Sequence, residues 1–172
     1  MHEDFKIFIF MQYSQNNKFH GMFATSSIAE AIEYYRLFKK LKPELKITAL
    51  FDPNVDNNEN AKFKEDGLVE IISDYNNRYG MEFSLATHAK MKRDIADRLA
   101  HKELYKRVEH APEKQLELLI VVDQMLTGFD SKWVNTLYLD KMLEYANLIQ
   151  AFSRTNRLFG KDKPFGIIRY YR

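Results

Sequence analysis

Residues 116–122 read Leu-Glu-Leu-Leu-Ile-Val-Val, an apolar run broken by Glu117 alone. A run this short and this rich in branched aliphatics fits a central parallel strand covered on both faces. It leads into Asp123-Gln124-Met125-Leu126-Thr127-Gly128-Phe129-Asp130, so polar groups gather at the strand's carboxyl end. In open α/β sheets that edge is where ligands bind. Gly128 lets backbone approach a ligand closely, and Asp130 can accept from a sugar hydroxyl or position an arginine. The same residues are also ordinary turn chemistry.

Working outward toward the amino terminus, Gly21–Ala24 is a short buried-strand run, and Thr25, Ser26 and Ser27 after it are all able to cap a helix. From Ile28 the apolar positions Ala31, Ile32, Tyr35, Phe38 and Leu41 recur at three and four, and Pro43 ends the pattern. Ile47–Phe51 follows as a second strand, so residues 21–51 read as β-α-β with a parallel strand pair. Phe5–Tyr13, almost continuously apolar, reads as a further buried strand.

Between these strands and residue 116 the chain changes character. Asn54–Asn60 is a solvated loop, Phe63–Tyr79 has helical spacing with Gly80 at the C-cap position, and a third helix runs from Ala86 to about Val108. Residues 90–114 hold eight Lys or Arg against five acids, by default a solvated face, with DNA contact the alternative. The whole of 54–114 reads as a helical insertion between strands of one sheet. Downstream, Asn135–Leu139 is a strand, Tyr145–Arg157 a helix with Leu148, Ile149 and Phe152 on one face, and Phe165–Tyr170 a final strand. Strands alternating with helices give an α/β domain, a mostly parallel sheet flanked by helices.

Composition narrows the function classes. The 172 residues are 45% hydrophobic, with thirteen Phe and ten Tyr, enough for a real core and against extended disorder. The net charge of +2 is too small to advertise nucleic acid or membrane by itself, so any basic surface is local. Residues 154–172 are one such place, with six Lys or Arg and the single acid Asp162. The absence of Cys excludes a disulfide framework and thiolate metal sites. His2, His20, His88, His101 and His110 show no metal-ligand spacing, so no metal site is expected. Trp133 reads as a packing residue, with base stacking the alternative. Neither Ile7–Met11 nor Leu116–Val122 approaches the roughly 20 apolar residues of a membrane helix, and His2–Lys6 is unlike a secretory signal. The expectation is a soluble, cytoplasmic chain without a membrane partner.

Gln150, Arg154 and Arg157 fall at i, i+4 and i+7 of the helix that ends at Arg157 and share one face. Two guanidinium groups on one stripe beside a strand end form a fork suited to phosphate, because each stays charged and donates in a fixed plane. A solvated basic face is the alternative.

The string Asp123–Asp130, then Asn135–Asp140 and Leu148–Arg157, resembles motifs V and VI of superfamily 2 helicases and translocases. The wording Leu-Thr-Gly-Phe-Asp-Ser and Leu-Ile-Gln-Ala-Phe-Ser-Arg-Thr-Asn-Arg is similar to the second RecA-like lobe of the R (motor and nuclease) subunit of type I restriction enzymes. Gly21–Lys39 resembles the opening strand and helix of the same lobe. The resemblance is strongest over residues 116–168 and looser over 63–110. It implies that residues 1–172 are a single RecA-like helicase C-terminal lobe, a fragment of a larger chain.

By resemblance, Arg154 and Arg157 reach the γ-phosphate of ATP held in a partner lobe, with Arg157 as the arginine finger. Gln150 completes motif VI. Thr127, Gly128 and Asp130 link the nucleotide cleft to the nucleic-acid path, with Asp130 near the ribose or the finger. Thr25, Ser26 and Ser27 match a segment that touches the nucleic-acid backbone, where hydroxyls donate without reading sequence; helix capping is the equal alternative. Ser153 stands where the wider superfamily has Gly, although the type I version of the motif accepts Ser.

No G-x-x-x-x-G-K-[ST] loop occurs, and Asp123 is followed by Gln124 rather than Glu, so the sequence offers neither a triphosphate cradle nor a strand-end magnesium pair. ATP and Mg²⁺ are therefore expected to be bound mainly by the first motor lobe. The isolated lobe is expected to be inactive, whereas its parent is an ATP-hydrolysing endonuclease. The implied partners are double-stranded DNA, the first motor lobe and nuclease domain of the same chain, and the methylation and specificity subunits. The alternatives are the corresponding lobe of another superfamily 2 DNA or RNA helicase, and a nucleic-acid-binding module without a motor.

Overall fold

The computed structural model describes residues 18–52, 61–122, 131–140 and 166–170. Five strands, β1 (His20–Thr25), β2 (Ile47–Leu50), β3 (Leu118–Val121), β4 (Val134–Asp140) and β5 (Ile167–Tyr170), form one sheet in the order β2-β3-β1-β4-β5. All four pairings are parallel. With helices α1 (Ile28–Leu41), α2 (Ala61–Tyr79) and α3 (His88–Ala100), this is the α/β architecture read from the sequence. Every residue of β1, β2 and β3 is buried, as strands with covered faces require. The strand expected at Phe5–Tyr13 and the helix expected at Tyr145–Arg157 lie outside the described residues.

The β-α-β reading of 21–51 holds in its elements and fails in its pairing. β1 and β2 are parallel but not neighbours, because β3 lies between them and bonds both. β3 is apolar on both faces, so it gains most from an interior place in the sheet. α1 begins at Ser27, whose Oγ accepts from the Glu30 N–H at 3.1 Å. It buries Ile28, Ala31, Ile32, Tyr35 and Phe38, with Phe38 and Tyr34 edge-on to Phe23 of β1 at 6.0 and 4.8 Å. α2 crosses α1 at Gly67, where an added Cβ would stand 2.5 Å from Ile32 Cδ1. It ends at Gly80 in the left-handed region, with Met81 N–H donating to the Asn76 carbonyl at 3.1 Å.

The third helix is shorter than its periodicity predicts. It stops at Ala100 because His101 turns left-handed at φ 52, and three single 3₁₀ turns carry the chain to Lys114. No Gly or Pro marks that end. His101 is held in place by its neighbours instead: its ring stacks on Trp133 at 3.9 Å between centroids. His101 Nε2 meets His20 Nε2 at 2.8 Å, and its Nδ1 lies 3.2 Å from Glu109 Oε2. His20 Nδ1 donates to the Leu116 carbonyl. These three contacts in line need three protons, and two neutral imidazoles carry two. The cluster ties the insertion to the amino ends of β1 and β4.

A second tie is Arg98, the largest fully buried side chain, at 1% exposure. Its guanidinium donates to Asp94 Oδ2 at 3.2 Å, Tyr75 OH at 3.1 Å, Tyr105 OH at 2.9 Å and the Lys114 carbonyl. The rings of Tyr79 and Tyr105 lie 3.7 and 4.3 Å from its Cζ. α2, α3 and the approach to β3 thus close around one cation.

Arg98→Ala leaves Asp94 without its buried counter-charge and should cost about 3–5 kcal/mol in urea denaturation; a loss below about 1 kcal/mol would show that the cage is dispensable. His20 titrates near 6.5 when unfolded, but burial first and the His101 charge second push it down to about 3 in the fold. Between those values the unfolded chain binds the extra proton, so His20 makes stability fall by about 1.4 kcal/mol per unit as pH drops from 6.5 toward 3. His20→Asn retains a donor toward Leu116 and should make the measured slope shallower by about that amount, whereas an unchanged slope would assign the proton elsewhere.

Candidate functional site

The carboxyl ends of β1, β3 and β4 meet in register, Ala24 opposite Val121 and Thr25 opposite Asp140. The chain leaving β1 passes through α1 toward β2 on one side, and the chain leaving β4 proceeds to β5 on the other. The β1/β4 boundary is therefore the topological switch point, the place where open α/β sheets hold ligands.

Ser26 spans that boundary. Its Oγ donates to the Asp140 carbonyl at 3.1 Å and its N–H donates to Glu30 Oε2 at 2.9 Å. The buried Asp140 carboxylate accepts from Tyr34 OH of α1 at 2.6 Å. Thr25 is buried, its hydroxyl shared between the carbonyls of Ser27 at 3.1 Å and Val121 at 3.4 Å. Ser27 is half-buried and caps α1, and Ser26 is exposed. The three hydroxyls read from sequence as one group thus have three different placements: one joins β1 to β3, one caps a helix, and one faces outward at the switch point. Of Thr25, Ser26, Ser27 and Asp140, Ser26 alone is exposed at this edge.

Thr127, Gly128, Asp130, Gln150, Arg154 and Arg157 lie outside the described residues. In the sequence, residues 123–130 follow the carboxyl end of β3 directly and 150–157 lie between β4 and β5. Trp133 packs against His101 and Phe19, at 3.9 and 6.2 Å between centroids, at the opposite, amino edge of the sheet. Among the described residues no group of three or more His, Asp or Glu is arranged to hold a metal ion. No helix among them is long and apolar enough to cross a membrane.

Sequence reading missed the Tyr34–Asp140 bond, whose partners are 106 residues apart, and the His20–His101 contact, 81 residues apart. Neither has a local signal. Arg98 had one: it falls on the same helical stripe as Met91, Ile95 and Leu99, a charge at a core position.

Residues 17–172 match a family model described as type I restriction enzyme subunit R domain 3. A type I restriction enzyme endonuclease subunit of Staphylococcus aureus (strain COL) is 40% identical over 169 residues, covering 94% of this chain and 17% of its own length. A corresponding endonuclease subunit of Staphylococcus saprophyticus is 38% identical over 170 residues, with the same two shares. The HindI endonuclease subunit of Haemophilus influenzae is 38% identical over 94 residues, 55% of this chain and 8% of its own. The chain thus spans about 17% of the length of the staphylococcal relatives it matches.

The two serines should separate by experiment. Ser27→Ala removes the N-cap and is expected to lower stability by about 1 kcal/mol in urea denaturation, whereas Ser26→Ala, at an exposed position, should change it by less than about 0.5 kcal/mol. Equal losses would contradict this division of roles.

Proposed function

The chain belongs to the type I restriction enzyme subunit R domain 3 family, and from that membership we propose that it is the second motor lobe of the ATP-dependent double-stranded DNA translocase in a type I restriction endonuclease. The observation that supports the reading is topological: β3 and β4, the strands that precede in sequence the two stretches resembling motifs V and VI, end on the carboxyl edge of a parallel sheet near its switch point. A fold that gathers its chain exits on one edge is suited to presenting that edge to a second lobe.

In this reading ATP is the substrate and is held chiefly by the first motor lobe, which also supplies the magnesium site. Gln150, Arg154 and Arg157 face the nucleotide from this lobe, and Arg157 is the finger that stabilises charge developing on the transferred phosphoryl group. Thr127, Gly128 and Asp130 couple the cleft to the DNA path. Ser26 is exposed at the mouth of the switch point, and its hydroxyl would exchange the Asp140 carbonyl for a backbone phosphate, a contact that positions without reading sequence. Closure of the cleft around ATP then shifts one lobe's DNA contacts relative to the other's, and repeated closure moves the duplex. The nuclease domain of the same chain and the methylation and specificity subunits complete the assembly.

The test is duplex-stimulated ATPase in the full-length subunit. Arg157→Ala should lower turnover by about 10³ or more, while duplex binding without nucleotide and the urea midpoint stay near those of the parent. Undiminished turnover would remove Arg157 from the finger role, and a lost urea transition would make it a structural residue.

A further inference from the structure

Residues 90–114 carry eight Lys or Arg against five acids; folding exposes more of the bases than of the acids, with Arg93 paired to Asp97 at 4.0 Å. Seven of the eight bases are exposed, among them Lys90, Lys92, Arg93, Lys102, Lys106 and Arg107, while of the acids Glu103 and Glu113 alone are exposed. Asp94 turns inward to the hydroxyls of Tyr75 and Tyr105, each at 2.5 Å. Glu109 turns inward to His101 at 3.2 Å, and Asp97 is half-buried. The one base withdrawn from the surface is Arg98.

At the centre of the basic turn stands Leu104, 85% exposed, the most exposed large hydrophobic residue among those described. Its display is built rather than incidental. His101 and Glu103 both adopt positive φ, 52° and 48°, a region that side-chain-bearing residues rarely enter. Tyr105, the next residue, is buried, with its hydroxyl on Asp94 and Arg98. The turn is pinned from below at His101 before Leu104 and at Tyr105 after it, and within three residues of Leu104 the exposed charges are Lys102, Lys106 and Arg107 against Glu103.

We propose that the exposed basic face of α3 and the turn 102–107 is a second contact for the sugar-phosphate backbone of duplex DNA, with Leu104 as its apolar tip in the groove. The inference rests on the motor-lobe reading for the identity of the polymer alone. Spaced bases match a repeating line of phosphates, and an aliphatic side chain flanked by bases is a recurrent device in the minor groove. A stable protein interface instead centres on several apolar and aromatic residues, and between 88 and 114 Leu104 is the one exposed large hydrophobic side chain.

The test uses the full-length polypeptide that carries this chain and a fluorescein-labelled duplex of mixed sequence, read by anisotropy over a salt series. Lys102→Gln/Lys106→Gln/Arg107→Gln should reduce the slope of log affinity against log salt by about 2–3, since each phosphate contact contributes about 0.9, and should do so for unrelated duplex sequences alike. Lys40→Gln/Lys62→Gln/Arg78→Gln, exposed bases elsewhere, should leave the slope nearly unchanged. Leu104→Ser should weaken binding a few-fold at fixed salt with the slope retained. An unchanged slope in the first triple, equal losses in both triples, or no duplex binding by the parent would overturn the proposal. Loss of co-assembly with the other subunits at an unchanged slope would assign the face to a protein and overturn it equally. An unchanged slope, equal losses in both triples or lost co-assembly leaves the Arg157 ATPase result as it stands, so this proposal then fails alone, whereas absence of duplex binding by the parent would remove both readings.

Discussion

A buried guanidinium with four hydrogen-bond partners holds together the segment between β2 and β3. Arg98 takes donors' positions against Asp94, Tyr75, Tyr105 and the Lys114 carbonyl, and two tyrosine rings flank its carbon centre. Arginine is the residue for such a site because it stays charged and presents its donors in a fixed plane. An uncompensated cation there would cost several kcal/mol, so the surrounding groups must converge. Their convergence fixes where α2, α3 and residue 114 lie, and residue 114 leads directly into β3. Since β3 bonds both β1 and β2, the cage sets the entry of the strand that organises half the sheet.

The elements with local signals were legible in the sequence. Ser27 and Pro43 bracket α1, Gly80 closes α2, and the run at 116–122 has no reading other than a buried segment. What escaped were features held by distant partners. α3 has the periodicity to continue past Ala100, and it stops because His101 is held left-handed by contacts with His20, Glu109 and Trp133 rather than by its own conformational preference. Likewise, nothing within residues 21–51 shows that β3 separates β1 from β2. That order depends on the competition for an interior place, which the most uniformly apolar strand wins.

The candidate site shows a similar division. Thr25, Ser26 and Ser27 were legible as hydroxyls at a strand end, but which of them is buried against β3, bridges to β4 from an exposed position or caps a helix follows from the register of β1 against β3 and β4. The buried Asp140 carboxylate and its Tyr34 partner were invisible because 106 residues separate them. The resemblance to motifs V and VI rests on wording alone, on residue types in a fixed spacing, and that kind of legibility concerns chemistry rather than placement.

The charge pattern of the insertion follows from the same buried cation. A protein interior admits Arg98 if a carboxylate accompanies it, and Asp94 fills that need while also accepting from two tyrosines. Glu109 turns inward as well, as a hydrogen-bond partner of the His101 imidazole. Each acid recruited to a buried partner leaves the outer surface with one fewer negative charge, so a segment close to balanced along the chain becomes basic on its exposed face. The basic turn around Leu104 and the polar core beneath it are therefore one construction: Tyr105 anchors the turn to Asp94 and Arg98 immediately after Leu104, and the positive φ values at His101 and Glu103 turn the chain immediately before it. Loosening the cage would release the turn as well as the helices, which couples the stability of the insertion to the shape of its outer face.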